Sequence, residues 1–380
     1  MDFQLTETHM MIRDMARKFA DEELAPSADV RDEREEFPAE QVRRMGELGM
    51  LGMMVSEKYE GAALDTLSYV LAEEEVSRVD ASAGVIMSVN NSLVCWGLEQ
   101  FGSDEQKDRY LADLATGRKL GAFALSEPEA GSDATNQRTT ARRDGDGYVL
   151  NGTKNFITNG AHADVTLVMA ATDREKGARG VSTFIVEKGT PGFAVAKKER
   201  KLGIRSSDTV SLAFQDCRVP AANRIGDEGF GMKFALKTLD GGRIGIAAQA
   251  LGIAQASLDA SIRYSKERKA FDKPIADLQG IQFKLAEMAT DIQAARAMIW
   301  HAAWLKDQGQ PYGPAAAMAK LMASRVAVHA ALEAIQIHGG YGYIREYKVE
   351  RFLRDAKITE IYEGTSEIQK IVIARSLLHE

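Results

Sequence analysis

Two cysteines in 380 residues, Cys95 and Cys217, leave no material for a disulfide framework or a thiolate metal site. They form no CxxC pair, which suits a reducing compartment and inert core thiols. The six histidines are scattered and there is no HExxH, so no metal site is expected. No GxGxxG follows a strand, which argues against a Rossmann dinucleotide fold. The lack of GxxxxGK[ST] removes a P-loop, and the lack of GxSxG removes a nucleophile elbow. Long basic runs are also missing. With 48 Lys and Arg against 55 Asp and Glu, the net charge of −7 argues against nucleic acid as the main partner. No stretch approaches 18 consecutive apolar residues, so no membrane span is expected. Met1-Asp2-Phe3-Gln4-Leu5 lacks the layout of a signal or transit peptide, and Leu377-Leu378-His379-Glu380 is no peroxisomal address. These features together predict a cytoplasmic protein.

What is present is ordinary in bulk and informative in order. Apolar residues make up 45% of the chain and charged residues 27%, as in globular proteins generally. The length suggests two or three domains at roughly 150 residues each. Residues 1–120 read as helical. Thr6 caps a stripe of Met11, Met15, Phe19 and Leu24 that stops at Pro26. Pro38 suits a first helical turn, and Gly49 a helix end. Asp65 precedes Leu67, Val70, Leu71 and Val76, and Asp104 opens a helix closed by Gly117. From Gly121 the texture changes to short apolar runs between Gly, Pro and Asp clusters. Phe123 to Leu125, Tyr148 to Leu150, Val165 to Ala170, Val181 to Val186 and Val210 to Phe214 predict a small β-barrel or sandwich over 121–227. From 228 to 380 four long helices are expected, over 230–266, 275–306, 315–337 and 366–378, joined as a bundle. The fold class is therefore α+β multi-domain: all-α, then β, then a four-helix bundle.

The densest chemical signal is Ile361-Tyr362-Glu363-Gly364-Thr365-Ser366-Glu367-Ile368-Gln369. It reads in two ways. Thr365 and Ser366 can start the last helix, with acidic residues at its positive end. Alternatively Glu363 is a base on a loop whose backbone N–H groups meet a carbonyl gaining negative charge. Three further segments match in kind: Phe123 to Asp133, which runs into a loop of Pro, Gly and small polar residues; Asn155 to Gly160; and Gln336-Ile337-His338-Gly339-Gly340-Tyr341-Gly342-Tyr343, whose glycines let a backbone approach a ligand. Arg268, among Lys266, Glu267 and Lys269, also reads as a solvated face, and His338 as the cation that suits a helix end. Tyr362 reads as packing.

With Arg268-Lys269-Ala270-Phe271 added, these segments resemble the acyl-CoA dehydrogenase family over essentially the whole chain, most of all its short-chain (butyryl-CoA) branch. The resemblance implies FAD as cofactor, an acyl-CoA substrate, an electron-transfer flavoprotein as acceptor, a homotetramer built as a dimer of dimers, and a place in fatty acid β-oxidation. It implies Glu363 as the base that takes the α-proton, while flavin N5 takes the β-hydride. The Glu363 N–H and a ribityl hydroxyl would stabilise the enolate-like oxygen. Phe123, Ala124, Leu125, Ser126, Gly131 and Ser132, with Phe156, Ile157 and Thr158, should line the isoalloxazine, Ser132 also reaching CoA. Arg268, Phe271, Gln279, Gln336, Ile337, His338, Gly339 and Gly340 should hold the pyrophosphate and adenosine, partly across a subunit boundary. Thr365, Ser366 and Glu367 should contact FAD. Asp240, Gly241, Gly242, Arg243 and Gly364 should face substrate. Relatives acting on branched or long chains carry their base where Gly242 stands, which leaves Glu363 alone in the role. Alternatives of the same implication are a branched- or medium-chain dehydrogenase, an acyl-CoA oxidase, or a flavoprotein scaffold without activity. Chain-length preference would reside around Val89 to Leu98 and Leu239 to Gly242.

Overall fold

The computed structural model describes residues 4–378. The terminal readings that turn on Met1–Phe3, His379 and Glu380 lie outside the described residues. Seven helices come first: α1 (Glu7–Phe19), α2 (Ala28–Arg34), α3 (Ala39–Glu47), α4 (Thr66–Val79), α5 (Ala81–Ser88), α6 (Trp96–Phe101) and α7 (Asp104–Ala115). Their starts follow capping chemistry. The Thr6 side chain accepts from the His9 N–H at 3.2 Å, and that of Asp65 from the Ser68 N–H at 2.8 Å. The cap of α7 is Ser103 and not Asp104, because Gln106 returns a bond to the Ser103 N–H and completes a capping box. Phe19 and Leu24 are core residues, whereas Met11 is exposed, so the apolar stripe of α1 is narrower than its sequence suggests.

Eight strands follow: β1 (Gly121–Ala124), β2 (Thr140–Asp144), β3 (Gly147–Thr158), β4 (Val165–Ala171), β5 (Val181–Glu187), β6 (Phe193–Lys198), β7 (Thr209–Pro220) and β8 (Arg224–Ile225). They make one sheet in the order β6-β7-β3-β2-β4-β5-β8, with β1 running parallel beside β4. Strand alternation divides the sheet between two cores. Val165, Leu167 and Met169 of β4 join the helical core, while Val168 and Ala170 pack with Tyr148, Phe184, Leu212 and Phe214. β6 was not anticipated; five of its six residues are exposed and it lies at the sheet edge, so it carries no buried apolar pattern.

The chain then forms α8 (Gly231–Glu267), the short pair β9 (Lys269–Ala270) and β10 (Lys273–Pro274), α9 (Gln279–Asp307), α10 (Gly313–His338), α11 (Val349–Ile358) and α12 (Ser366–Leu378). The four expected long helices are present. The additional α11 is short and amphipathic, with Val349, Phe352 and Ala356 buried, and it leads directly into the Glu363 loop. Helices α8 and α10 pack along their small residues, among them Ala247, Ala248, Ala316, Ala317 and Ala323, all without solvent exposure. Ala81–Phe101 and Gly313–Tyr343 are long and apolar enough to cross a membrane by length and composition. Most of the first is buried among other helices, as a core segment would be.

Candidate active site

Glu363 sits on the turn between α11 and α12 with φ 51°, a left-handed conformation that a β-carbon disfavours by roughly 1–2 kcal/mol. Buried contacts hold the turn there. Thr365 Oγ1 accepts from the Ile368 N–H at 3.3 Å and caps α12, while the Ser366 N–H donates to the Glu360 carbonyl at 2.9 Å. The Gly364 carbonyl takes two donors, Lys320 Nζ from α10 at 2.7 Å and Gln369 Nε2 at 2.8 Å. Tyr362 Oη donates to Gln249 Oε1, and Gln249 Nε2 donates to the Ala81 carbonyl at 2.8 Å. Tyr362 is thus a tether between the Glu363 turn and α8. Among the described residues, the Glu363 N–H donates to no group within the fold.

The Glu363 residue as a whole is half-buried, but its Oε2 is occluded and has no hydrogen-bond partner. That oxygen faces Gly242 of α8: a β-carbon there would overlap Oε2 and stand 2.7 Å from Leu93 Cδ2. Desolvation raises the Glu363 pKa to about 7, with Lys320 and Arg243 opposing the rise. Lys320 is wholly buried, and desolvation lowers its own pKa to about 8. Arg243 is buried and its Nη1 donates to Asp240 Oδ1 at 2.5 Å, while its Nε has no partner. Gly241 lies within 4 Å of Lys306 and Tyr312 by the same β-carbon construction.

A second group lies farther along α8. Phe123 stacks on Phe234 with ring centroids 6.3 Å apart. Phe234 and Gly242 are eight residues apart on the helix, roughly 12 Å by its rise. Ala124 and Leu125 are buried behind Phe123, and Ser126, half-buried, accepts from the Asn155 N–H at 2.9 Å. That bond ties the segment after β1 to β3 next to Phe156; Gly131 and Ser132, farther along the same loop, are both exposed. Phe156, on a β3 irregularity with φ 59°, presents a ring 65% exposed, whereas Ile157 is buried. Beneath the loop, Lys154 Nζ is fully buried and donates to Leu125 O at 3.0 Å, Glu127 Oε1 at 2.7 Å and Gln137 Oε1.

A third group does not meet the first two within one chain. Arg268, Ile337, His338, Gly339 and Gly340 line a groove of about 430 Å³ with Tyr264, Ile275, Tyr341 and Ile344. His338 is buried, stacks on Tyr264 at 4.1 Å, and its Nδ1–H donates to the Ala334 carbonyl at 2.7 Å, so its imidazole is structural. Arg268 is exposed and lies 5.5 Å from the Tyr341 ring centroid. Phe271 is 85% exposed; Gln279 and Gln336 also face solvent. Lys320 and His338 are eighteen residues apart on α10, roughly 27 Å. Thr365 and Ser366 are half-buried and Glu367 is exposed, on the side of the Glu363 turn.

Sequence reasoning missed Lys320, Gln369, Gln249 and Lys154. A lone lysine in the Ala-rich run Ala317-Met318-Ala319-Lys320-Leu321-Met322-Ala323 was a signal for the first. The others carry none that is local.

Comparison with known proteins identifies the family and the fold. Residues 6–118, 122–217 and 229–378 match the N-terminal, middle and C-terminal domains of acyl-CoA dehydrogenase. The mitochondrial short-chain specific acyl-CoA dehydrogenase of Rattus norvegicus is 54% identical over 375 residues, covering 99% of this chain and 91% of that protein. Butyryl-CoA dehydrogenase from Megasphaera elsdenii superposes with a TM-score of 0.99 at 48% identity, over 100% of both chains. A chain in the structure described as the electron transferring flavoprotein of Acidaminococcus fermentans gives 0.99 at 51% identity, again over 100% of both. The chain belongs to the acyl-CoA dehydrogenase family of FAD-dependent oxidoreductases.

Proposed function

We propose that the protein dehydrogenates a short-chain acyl-CoA between Cα and Cβ, yielding the trans-2-enoyl-CoA, with Glu363 as the base. One observation carries this reading: an occluded, unpartnered carboxyl oxygen opposite a glycine, on a turn whose own amide is free. The α-proton of a thioester is too weakly acidic for an ordinary carboxylate. Burial brings Glu363 to about 7, which makes it a stronger base at neutral pH. The Glu363 N–H is available to the thioester carbonyl as negative charge develops on it, a donor worth several kcal/mol in such a site. Lys320 and Arg243 hold the pKa from rising further, so that a working fraction of the base is ionised. Gly242 leaves room for the reacting carbons, and Asp240, Gly241, Arg243, Gly364 and Ser132 are the remaining substrate-facing candidates.

The residues present fit FAD. The β-carbon positions of Gly131, Gly339 and Gly340 meet nothing within 4 Å, Phe156 offers a free ring face, and Arg268 supplies a cation for a pyrophosphate. Phe123 to Ser126, Gly131 and Ser132, with Phe156 to Thr158, would hold the ring system, and Thr365, Ser366 and Glu367 would approach it from the catalytic turn. The groove of Arg268, Ile337, His338, Gly339 and Gly340, with Phe271, Gln279 and Gln336, would hold the nucleotide end. Bound FAD supplies the hydride acceptor that no side chain can provide. The roughly 27 Å along α10 between His338 of that groove and Lys320, which holds the Glu363 turn, supports a site shared between subunits, and with it a homotetramer. An electron-transfer flavoprotein is the proposed acceptor, supported by the likeness to a chain in such a structure.

The test is the visible spectrum of the purified protein before and after anaerobic butyryl-CoA. We expect a yellow protein that bleaches. Glu363→Gln should stay yellow and lose bleaching by at least about a thousandfold in rate. A Gln variant that still bleaches at the original rate would remove Glu363 as the base.

A further inference from the structure

Residues 199–208 connect β6 to β7, and the second half of this loop is packed like a core element. Ile204, Ser206, Ser207 and Asp208 are each no more than 2% exposed. Ile204 holds φ 43°, a left-handed conformation that a β-branched side chain strongly disfavours. Such strain persists only where surrounding contacts fix it. One contact is Asp355 of α11, whose Oδ1 accepts from the Ile204 N–H at 2.5 Å. Another is the close approach at Gly203, where a β-carbon would overlap the Arg354 carbonyl and stand 2.6 Å from the Asp355 nitrogen. Arg354 Nη1 also donates to the Leu202 carbonyl at 3.3 Å.

The loop is bonded to two different parts of the candidate site. Asp355 stands near the end of α11, and the backbone stays hydrogen-bonded beyond it. The Thr359 N–H donates to the Ala356 carbonyl at 3.0 Å, and the Ile361 and Tyr362 N–H groups to the Ile358 carbonyl at 2.8 and 3.1 Å. Glu363 follows directly, so the direction of α11 sets the place of the base. On the other side, Asp208 Oδ2 accepts from the Ala161 N–H at 2.6 Å, and the Asp208 carbonyl from the Asn159 N–H at 3.3 Å. Asn159, wholly buried with φ 65°, follows Thr158 at the end of β3, where Ile157 and Thr158 pair with Val210 and Thr209 of β7. The cations beside Asp355 have other partners: Arg354 Nη2 donates to Asp32 Oδ2 at 2.7 Å, and Arg351 Nη1 lies 3.1 Å from Asp29 Oδ1. Burial raises the Asp355 pKa to about 7, with Arg351 opposing the rise, so what it offers Ile204 is an acceptor in either protonation state.

We propose that the loop 199–208 is a strap that fixes the Glu363 turn relative to the end of β3 around Phe156 to Thr158, with Asp355 and Asp208 as its two positioning residues. Neither side chain touches a reacting group; each acts through the backbone it holds. A proton and a hydride leave adjacent carbons of the substrate, so the base and the flavin-facing strand must be kept at one separation. A misplacement of about 1 Å can slow such a reaction about a hundredfold. The Glu363 turn belongs to the C-terminal helices and Phe156 to Thr158 to the sheet, and the strap is bonded to both. The inference rests on the reading of Glu363 as the base and of Phe156 to Thr158 as flavin-facing, and it names what sets the distance between them.

The experiment measures the rate of flavin bleaching by saturating butyryl-CoA, with FAD in excess, in wild-type protein, Asp355→Ala, Asp208→Ala and the double variant. Each single change should slow bleaching about a hundredfold and leave the half-saturating thioester concentration within about threefold. The double variant should be no more than about threefold slower than either, because one break already frees the turn from β3. Two independent losses would instead multiply to about ten-thousandfold. Asp355→Asn keeps an acceptor for the Ile204 N–H and should stay within about fivefold of wild type. Bleaching at the wild-type rate in either folded alanine variant overturns the inference, as do losses that multiply. Where the variants do not fold, native-state hydrogen exchange of the FAD-loaded wild-type protein at low urea decides: the amides of Asn159, Ala161, Ile204, Ser207, Ile361 and Tyr362 should open together with one urea dependence. Separate opening of the strap and the Glu363 turn overturns the inference. Wild-type protein that holds FAD but is not bleached would instead bring down the proposed function.

Discussion

Lys320 is the residue whose removal should be most visible in the chemistry at Glu363. Its ammonium reaches the carbonyl next to the base at 2.7 Å and lowers the base pKa against the larger effect of burial. With Glu363 as the proposed base, only the ionised carboxylate would be active, so kcat/KM should rise with pH and reach half its plateau near 7. Lys320→Met takes away the opposing cation, so this limb should move to higher pH by about one unit or more. Lys320→Arg should restore part of the displacement. A pH profile identical to that of the unaltered protein would show that Lys320 only fixes the turn. The same titration bears on stability with the opposite sign. Glu363 binds its proton more tightly when folded, so its contribution declines as pH rises from 4.5 through about 7. None of this is visible in the string. Glu363 was legible as a candidate because an acid, a glycine and two hydroxyl residues adjoin a helix start, whereas its basicity depends on what α8 and α10 place around it.

At the level of elements, β3 and the loop after β1 form one device. The buried Lys154 on β3 holds the loop through the Leu125 carbonyl and through Glu127, which in turn accepts from the Arg138 N–H at 2.6 Å and the Thr139 N–H at 3.0 Å. Removing one partner of a buried pair leaves the other charge uncompensated. Lys154→Met should therefore lower stability by about 3–5 kcal/mol, read by thermal or denaturant unfolding, and should weaken flavin retention in the same protein. A loss under about 1 kcal/mol would mean that water enters to solvate Glu127. The loop itself was legible from Pro128, Gly131 and small polar residues. Its support was not, because a lysine on a strand reads as a solvent-facing position until its neighbours are known. Edge strand β6 and the short α11 escaped notice for a related reason: β6 buries no apolar face, and α11 follows a glycine turn that masks its start.

On the scale of the molecule, the two halves of the candidate site lie apart. Glu363 faces Gly242 and Phe123 stacks on Phe234, both on α8, while the groove of Arg268 and His338 lies roughly 27 Å along α10 from Lys320. If subunits share the site, FAD retention should follow assembly. Arg268→Ala should weaken FAD binding at least about tenfold, with the protein itself still folded. Light scattering combined with released-flavin fluorescence would check this. A dissociated monomer that keeps its FAD would contradict the sharing. The exposed Phe271 and Tyr343, at 85% and 86%, are faces that such an assembly would cover.

Periodicity, caps and turn residues act over a few positions, so the order of helical, sheet and helical regions and the short apolar strands of the middle region are legible in the chain alone. The same local grammar marked the Glu363 turn, the Phe123 loop and the Gln336–Gly340 turn as unusual. Which distant residues meet is set by packing in three dimensions. Glu73 of α4, Gly242 and Gln249 of α8, Lys320 of α10 and Glu363 stand on four separate stretches of chain, and no local pattern encodes their approach. Their meeting removes water from the carboxyls. Desolvation, more than residue type, is what separates a surface glutamate from Glu363, whose pKa it raises to about 7, and from Glu73, which it pushes well above the usual carboxylate range.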